Sequence, residues 1–115
     1  MQYKISGKVI EGDGYGRKIG FPTVNLEFKN KREEDFPSDG VYAGTGTLES
    51  KAYKAGIVIG PGDKIEAHLI EYSGDAYGKE VMLEINKFIR EYKNFNTEEE
   101  LIAQIKKDIE ICSQA

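Results

Sequence analysis

The chain has 115 residues, of which 31% are charged and 39% hydrophobic, and its formal net charge at pH 7 is −4. This composition excludes a disordered chain and predicts one globular domain, residues 1–115, with its own core. The acidic balance argues against nucleic acid as a partner, because proteins that bind phosphodiester backbones usually concentrate Lys and Arg on one face.

No apolar run reaches the roughly 18 residues that cross a bilayer, and the N-terminus lacks an apolar segment of signal-peptide type. We therefore expect a cytoplasmic protein with no membrane partner. Cys112 and His68 are the only residues of their types, which excludes an internal disulfide, a thiolate metal cluster and a multi-histidine zinc site. We expect Cys112 to be a small apolar residue on a helix face, and any metal to be a hard ion held by oxygens.

The first predicted element is a strand from Tyr3, where apolar and polar residues alternate. Gly12, Gly14 and Gly16 follow. Glycines at this density are unsuited to a regular element and indicate a loop that turns sharply or approaches a ligand closely. This loop is the first candidate binding site.

The stretch GFPTVNL occupies residues 20–26. In an extended chain Thr23 and Asn25 point to one side while Val24 and Leu26 point to the other. A hydroxyl and an amide oxygen at that spacing suit Mg²⁺ whose other ligands are water and nucleotide phosphates. The preceding glycine loop could offer N–H groups to those phosphates, although it is neither a P-loop nor a dinucleotide fingerprint. The alternative is that Thr23 and Asn25 merely cover a strand edge.

Residues 27–39 are highly charged and contain Pro37, so we expect an exposed connection. The segments GVYAGTGTLE and YKAGIVIG, residues 40–49 and 53–60, then predict two strands of a hairpin joined by the polar SKA. The sequence PGD at residues 61–63 predicts a turn.

Alternating patterns predict further strands at residues 65–70 and 81–86, separated by the turn SGDAYG. Glu66 lies on the strand face opposite its apolar neighbours, so its carboxylate can face a ligand. The alternative is an exposed strand carboxylate without a function. His68 shares the face of Glu66, and we expect it to have a structural role.

The C-terminal segment predicts an amphipathic helix. Thr97 and Glu100 form a T-x-x-E capping box, and Leu101, Ile105, Ile109 and Cys112 recur at helical spacing. Several short strands followed by one helix predict an antiparallel barrel or sandwich with the helix packed on the sheet.

Four segments occur in the order seen in the riboflavin kinase family, the flavokinase module that makes FMN, and the chain resembles that family from about Gly7 to Ile111. They are GDGYGRKIGFPTVNL, GVYAG, IEAHLIEYSGDAYGKEV and FIREYKNFNTEEELIAQIKKDIE. The resemblance implies an all-β fold with one C-terminal α-helix, a six-stranded antiparallel Greek-key β-barrel. It also implies transfer of the γ-phosphoryl group of ATP to the 5′-hydroxyl of riboflavin, with Mg²⁺ as cofactor and FMN and ADP as products. We expect a monomer.

The resemblance also implies roles for individual residues. In the family, the P-T-x-N element binds magnesium and the ATP phosphates, which implies metal binding by Thr23 and Asn25. The glutamate of the E-x-H element is the family's catalytic base, here Glu66. Together with the glycine loop, the predicted nucleotide site comprises Gly12, Gly14, Gly16, Pro22, Thr23 and Asn25.

The segment before the last helix holds the flavin ring in the family, and Arg90 and Phe95 match recurring positions of it, which implies that they bind the flavin; Tyr92 is a further candidate. An aromatic surface at Tyr92 and Phe95 would suit an isoalloxazine ring. The alternative is that Phe95 anchors the helix and Arg90 makes a structural ion pair.

Two features depart from the family pattern. The tight VIGPGDKIEAH replaces a longer loop that normally helps to close over the ligands, and the FMN adenylyltransferase domain usual in bacterial members is absent. We therefore expect FMN, but not FAD, as the product. A non-catalytic flavin- or nucleotide-binding module and a kinase for a different small alcohol are alternatives. An OB-like barrel that binds single-stranded nucleic acid is disfavoured by the acidic charge.

Overall fold

The computed structural model describes residues 3–12, 14–27, 36–62 and 64–115, and for residues 15 and 16 the backbone alone. Two predicted connections fall partly outside these ranges. They are the charged connection, of which residues 28–35 are not described, and the PGD turn, of which Asp63 is not described.

The described residues form a closed antiparallel barrel followed by a C-terminal helix. The strands are β1 Tyr3–Ile10, β2 Val24–Leu26, β3 Gly40–Leu48, β4 Lys51–Ile59, β5 Ile65–Leu69 and β6 Glu80–Arg90, and the helices are α1 Tyr15–Lys18 and α2 Glu98–Gln114. The strand order around the barrel is β1-β2-β5-β4-β3-β6. Because β3, β4 and β5 are consecutive neighbours and β2 lies beside β5, the topology is a Greek key. The predicted six-stranded barrel is confirmed.

The period-2 alternation of the strands fills the barrel with aliphatic side chains. Ile57, Ile59, Leu83 and Ile85 are completely buried, as expected for residues that point to one side of a strand. The β3–β4 hairpin has a two-residue turn, Glu49–Ser50, with positive φ at both residues and with Leu48 paired to Lys51. The strand β4 therefore starts two residues before the predicted boundary, and Lys51 and Ala52 of the predicted SKA turn belong to it.

The glycine-rich loop contains one helical turn that the glycine spacing did not predict. In α1 the Lys18 N–H donates to the Gly14 carbonyl at 3.1 Å, and the Gly20 N–H donates to Arg17 at 3.2 Å. The turn is bounded by Gly14 and Gly20, with φ of 72° and 95°, a region that glycine adopts without steric cost. The expectation of no regular element was thus wrong for residues 15–18.

The helix α2 begins and packs as predicted. Thr97 is the N-cap, and its hydroxyl accepts from the Glu100 N–H at 3.1 Å. Cys112 is buried at 1% exposure, and burial, helped by the charge of Asp108, raises the pKa of its thiol to about 11. The prediction of a small apolar residue at this position is confirmed.

Within the ranges that the structure describes, no helix is long and apolar enough to cross a membrane. The cytoplasmic location and the monomeric state stay predictions.

Candidate functional site

One cleft, called the first cleft below, lies between the outer wall of the barrel and α2, and has a volume of about 530 Å³. The barrel contributes Thr23, Glu66 and His68 to its wall. The opposite wall comes from the segment before α2 and from the helix itself, through Tyr92, Phe95, Leu101, Ile105 and Ile109. A partly apolar cleft with a few converging polar groups is typical of a site for a small organic ligand.

A second cleft of about 500 Å³ lies between the glycine-rich loop and the SGDAYG turn. It is lined by Gly12, Gly14, Arg17, Pro22 and Asn25 on one side and by the turn residues 73–77 on the other. Thr23 borders both clefts. The two clefts therefore meet at the residue that begins the T-x-N element.

Glycine is needed at positions 12 and 14 of this loop for two different structural reasons. A Cβ at residue 12 would overlap the side-chain amide of Asn25, so Gly12 lets the loop backbone lie directly against Asn25. Gly14 has a φ of 72°, which favours glycine for conformational reasons. Gly16 lies in α1. The structure thus places Gly12 and Gly14 at the cleft wall, and nucleotide binding by this loop stays a prediction.

Glu66 lies on the outer face of β5, between the buried residues Ile65 and Ala67. Asn25 pairs directly opposite it on β2, so both side chains are on the same face of the sheet. The Thr23 hydroxyl donates to Glu66 Oε2 at 3.2 Å. Lys64 Nζ lies 3.0 Å from Glu66 Oε1. The predicted orientation of Thr23, Asn25 and Glu66 is confirmed, and the structure brings the three together.

His68 holds the segment that carries Thr23. Its Nδ1 lies 2.8 Å from the Pro22 carbonyl oxygen; because a carbonyl only accepts, the imidazole Nδ1–H donates this bond. The His68 ring also packs edge-on against Phe21, with ring centres 6.3 Å apart. These contacts fit the structural role expected for His68.

Arg90, Tyr92 and Phe95 all border the first cleft. Arg90 is held by the carboxylate of Asp108, with its Nη2 2.9 Å from Oδ2 and its Nε 3.1 Å from Oδ1. The guanidinium also lies over the Phe95 ring, 5.6 Å from its centre. The structural ion pair weighed as the alternative for Arg90 is therefore present, and the flavin-binding role stays a prediction.

Several cleft residues were absent from the sequence-based set, among them Lys64, Arg17 and Tyr77. Lys64 stands two residues before Glu66, and period-2 geometry could have placed both side chains on one face. Arg17 lies in the unpredicted helical turn. Tyr77 belongs to the SGDAYG turn, whose proximity to the glycine loop follows from strand pairing rather than from local sequence.

The candidate metal ligands where the clefts meet are the hydroxyl oxygen of Thr23 and the amide oxygen of Asn25, with the Glu66 carboxylate beside them. Mg²⁺ prefers oxygen ligands, and a bound Mg²⁺ ion usually keeps several water or phosphate ligands. Among the described residues, no cluster of three or more His, Cys, Asp or Glu forms an all-protein metal cage. The donor set thus fits a magnesium ion carried largely by phosphates and water.

Comparison with known proteins places these clefts in context. The family model for riboflavin kinase matches residues 1–115. The chain is 34% identical over 118 residues to the bifunctional riboflavin kinase/FMN adenylyltransferase of Escherichia coli K12, covering 92% of this chain and 36% of the relative. It is 37% identical over 125 residues to the bifunctional riboflavin kinase/FMN phosphatase of Arabidopsis thaliana, covering 98% and 33%. The chain spans about a third of the length of these relatives.

Two solved structures share the fold. A chain described as a macrolide-efflux protein of Streptococcus pneumoniae superposes with a TM-score of 0.89 at 28% identity, over 97% of this chain and 38% of that chain. The riboflavin kinase of Trypanosoma brucei superposes with a TM-score of 0.76 at 23% identity, over 98% and 76%.

Proposed function

The chain belongs to the riboflavin kinase family, and we propose that it transfers the γ-phosphoryl group of ATP to the 5′-hydroxyl of riboflavin, giving FMN and ADP. The names of the two curated relatives support this assignment. Both include a riboflavin kinase, but their second activities differ, an adenylyltransferase in one and a phosphatase in the other. Because the chain matches about a third of each, the activity they share is the one expected for the matched part.

The observation that carries the proposal is the position of Thr23 and Glu66 where the two clefts meet. Thr23 borders both clefts and donates to Glu66, whose carboxylate faces the first. A phosphoryl transfer needs donor and acceptor in line and close together. Two adjacent clefts that share Thr23 would bring two substrates close together, which supports the proposal.

The second cleft is the proposed nucleotide site. Its glycine loop can bring backbone N–H groups close to phosphates, because Gly12 and Gly14 carry no side chain in the way. The Thr23 hydroxyl and the Asn25 amide oxygen would hold Mg²⁺ together with the phosphates. When bound, the ion would offset negative charge on the phosphates.

Glu66 is the proposed base. Its carboxylate would orient the ribityl 5′-hydroxyl and accept its proton as the oxygen forms a bond to the γ-phosphorus. The bond from that phosphorus to the β-phosphate oxygen breaks, and ADP leaves. Each carboxylate oxygen has two lone pairs, so Glu66 can keep its bonds to Thr23 and Lys64 while it accepts a third.

The first cleft is the proposed flavin site. Tyr92, Phe95 and the apolar residues of α2 would contact the isoalloxazine ring, which is planar and largely apolar. The Arg90 guanidinium, held by Asp108, lies at the same wall.

A non-catalytic flavin-binding module of the same fold is the second candidate. The observation in its favour is the short connection between β4 and β5, where Ile59 pairs with Ile65 and the Gly60 N–H donates to the Lys64 carbonyl at 3.0 Å. This connection leaves little chain to cover bound ligands.

Product analysis by chromatography after incubation with riboflavin, ATP and Mg²⁺ tests the proposal. We expect FMN from the wild type and a loss of at least about 100-fold in rate for Glu66→Gln, the usual contribution of a general base. Glu84→Gln is the matched control, because Glu84 also lies on an outer strand face and pairs with a lysine, Lys4. It should keep the wild-type rate.

Wild-type turnover by Glu66→Gln would contradict the assignment of the base. If the wild type formed no FMN but quenched riboflavin fluorescence saturably, the binding module would replace the kinase as the function.

A further inference from the structure

The carboxylate of Glu66 is shared by two side chains in the first cleft. Thr23 donates to one oxygen at 3.2 Å, and the Lys64 ammonium lies 3.0 Å from the other. The Glu66 side chain is 18% exposed and that of Lys64 44% exposed. The pair is therefore reached from solvent through the lysine.

The short connection before β5 fixes the position of Lys64. Its carbonyl accepts from the Gly60 N–H at 3.0 Å, and the next residue pairs with Ile59. A Cβ on Gly60 would lie 3.1 Å from Lys64 Cδ, so the lysine stem runs closely over the glycine backbone. Because strand geometry places residues i and i+2 on one face, Lys64 and Glu66 point into the same cleft.

Resting on the proposed function, we propose that Lys64 binds the phosphoryl group as it reaches the acceptor oxygen and then holds the 5′-phosphate of FMN. The acceptor hydroxyl must lie within hydrogen-bond reach of Glu66, roughly 2.6–3.2 Å. The lysine ammonium is at a similar distance from the same carboxylate. It is therefore a neighbour of the oxygen that receives the phosphoryl group.

The negative charge of the FMN phosphate needs a cationic partner, which the binding of riboflavin does not require. Riboflavin brings no phosphate to the cleft, whereas FMN brings about −1.5 to −2 charges at pH 7, as phosphate monoesters do. That charge would lie beside the Glu66 carboxylate and be repelled by it. An ammonium has three donors, so Lys64 can keep its bond to Glu66 and donate to the phosphate.

The test compares the affinities of two ligands that differ in this phosphate alone. Riboflavin and FMN are titrated separately, without ATP, by flavin fluorescence, against the wild type, Lys64→Met and Lys64→Arg. Loss of one charge-assisted hydrogen bond should raise the FMN dissociation constant of Lys64→Met about tenfold or more. The riboflavin dissociation constant should change less than about twofold, and Lys64→Arg should retain most of the FMN affinity.

Lys4→Met is the matched control. It also removes one lysine that pairs with a strand glutamate, with Lys4 Nζ 3.7 Å from Glu84 Oε2, so the net charge changes equally. Its ratio of FMN to riboflavin affinity should equal that of the wild type.

The proposal is overturned if Lys64→Met weakens both ligands equally, because Lys64 would then merely shape the cleft. It is also overturned if the FMN affinity does not change. Either result could occur while the wild type still forms FMN from riboflavin and ATP, which would leave the proposed function intact. A wild type that bound neither flavin would refute both.

Discussion

Asp108 is the one charged side chain that the described part of the chain buries, at 7% exposure. Its carboxylate accepts three hydrogen bonds from Arg90 and one from Gln104. Burial of a carboxylate is costly unless it is paired and hydrogen-bonded. Arg90 therefore joins the end of β6 to α2, and the helix that covers the first cleft depends on this pair.

Arg90→Met should lower the free energy of unfolding by about 3 kcal/mol, because removing one partner leaves an unpaired buried charge. Adding Asp108→Asn to this variant should then increase its stability, since the remaining buried group is neutral and can still accept from Gln104. Urea unfolding followed by circular dichroism measures both. If the double variant were less stable than Arg90→Met alone, the argument from unpaired charge would be wrong.

At this scale, the sequence predicted what depends on local geometry. The same-face arrangement of Thr23 and Asn25, and the outward orientation of Glu66, follow from the period of two along a strand. The same rule applies to Lys64, which stands two residues before Glu66 and just outside β5. The partner of Arg90 could not be predicted, because Asp108 is 18 residues away and meets it only when α2 packs on the barrel.

The start of α2 determines how the helix is placed over the first cleft. Thr97 caps the helix and also borders the cleft. Three glutamates in the first turn add favourable charge near the positive end of the helix dipole. The capping box was therefore a reliable predictor of this element, because the signal lies entirely within four residues.

Thr97→Ala should reduce the free energy of unfolding by about 1 kcal/mol, because the Glu100 N–H loses its side-chain acceptor. Thr97→Ser keeps a hydroxyl and should stay close to the wild type. Urea titrations of the three proteins provide the comparison. Equal stability of the alanine and serine variants would mean that the cap hydroxyl contributes nothing.

Element boundaries were predicted less well where glycine and turn signals compete. The helical turn α1 was missed because a single turn needs only four residues and leaves no periodic pattern. The hairpin turn was placed too late because Glu49 and Ser50, which adopt positive φ, are not the glycine or asparagine usual in such turns.

The closure of the barrel was predicted from family resemblance rather than from physical chemistry. Strand patterns indicate which face is buried, but the order β1-β2-β5 joins residues that are far apart in sequence. Val24 pairs with Ala67 and Asn25 with Glu66. Nothing local in either segment specifies its partner, which is why the alternation alone left a barrel and a sandwich both open.

Among the described strands, β2 makes the fewest backbone pairs with its neighbours in the barrel. This strand has three residues, with two register pairs to β1 and two to β5, whereas β3 and β4 share nine. Both clefts border this strand or the residue before it. Because few backbone pairs close the barrel here, local opening should be easier than elsewhere in the described chain, and it would separate the two clefts.

Ligands that need both clefts should therefore slow hydrogen exchange in residues 24–26. With riboflavin and a non-hydrolysable ATP analogue with Mg²⁺, each at about 100 times its own dissociation constant, binding of both ligands to the closed form alone predicts a slowing of about 10⁴-fold, roughly 100-fold for each ligand. Exchange at the Glu49–Ser50 hairpin tip, whose two residues line neither cleft, should change little because its opening leaves the site intact. Mass spectrometry of peptic fragments resolves the two segments. Unchanged exchange in residues 24–26 would mean that the ligands bind without requiring closure at β2, so that the barrel seam and the site are energetically independent.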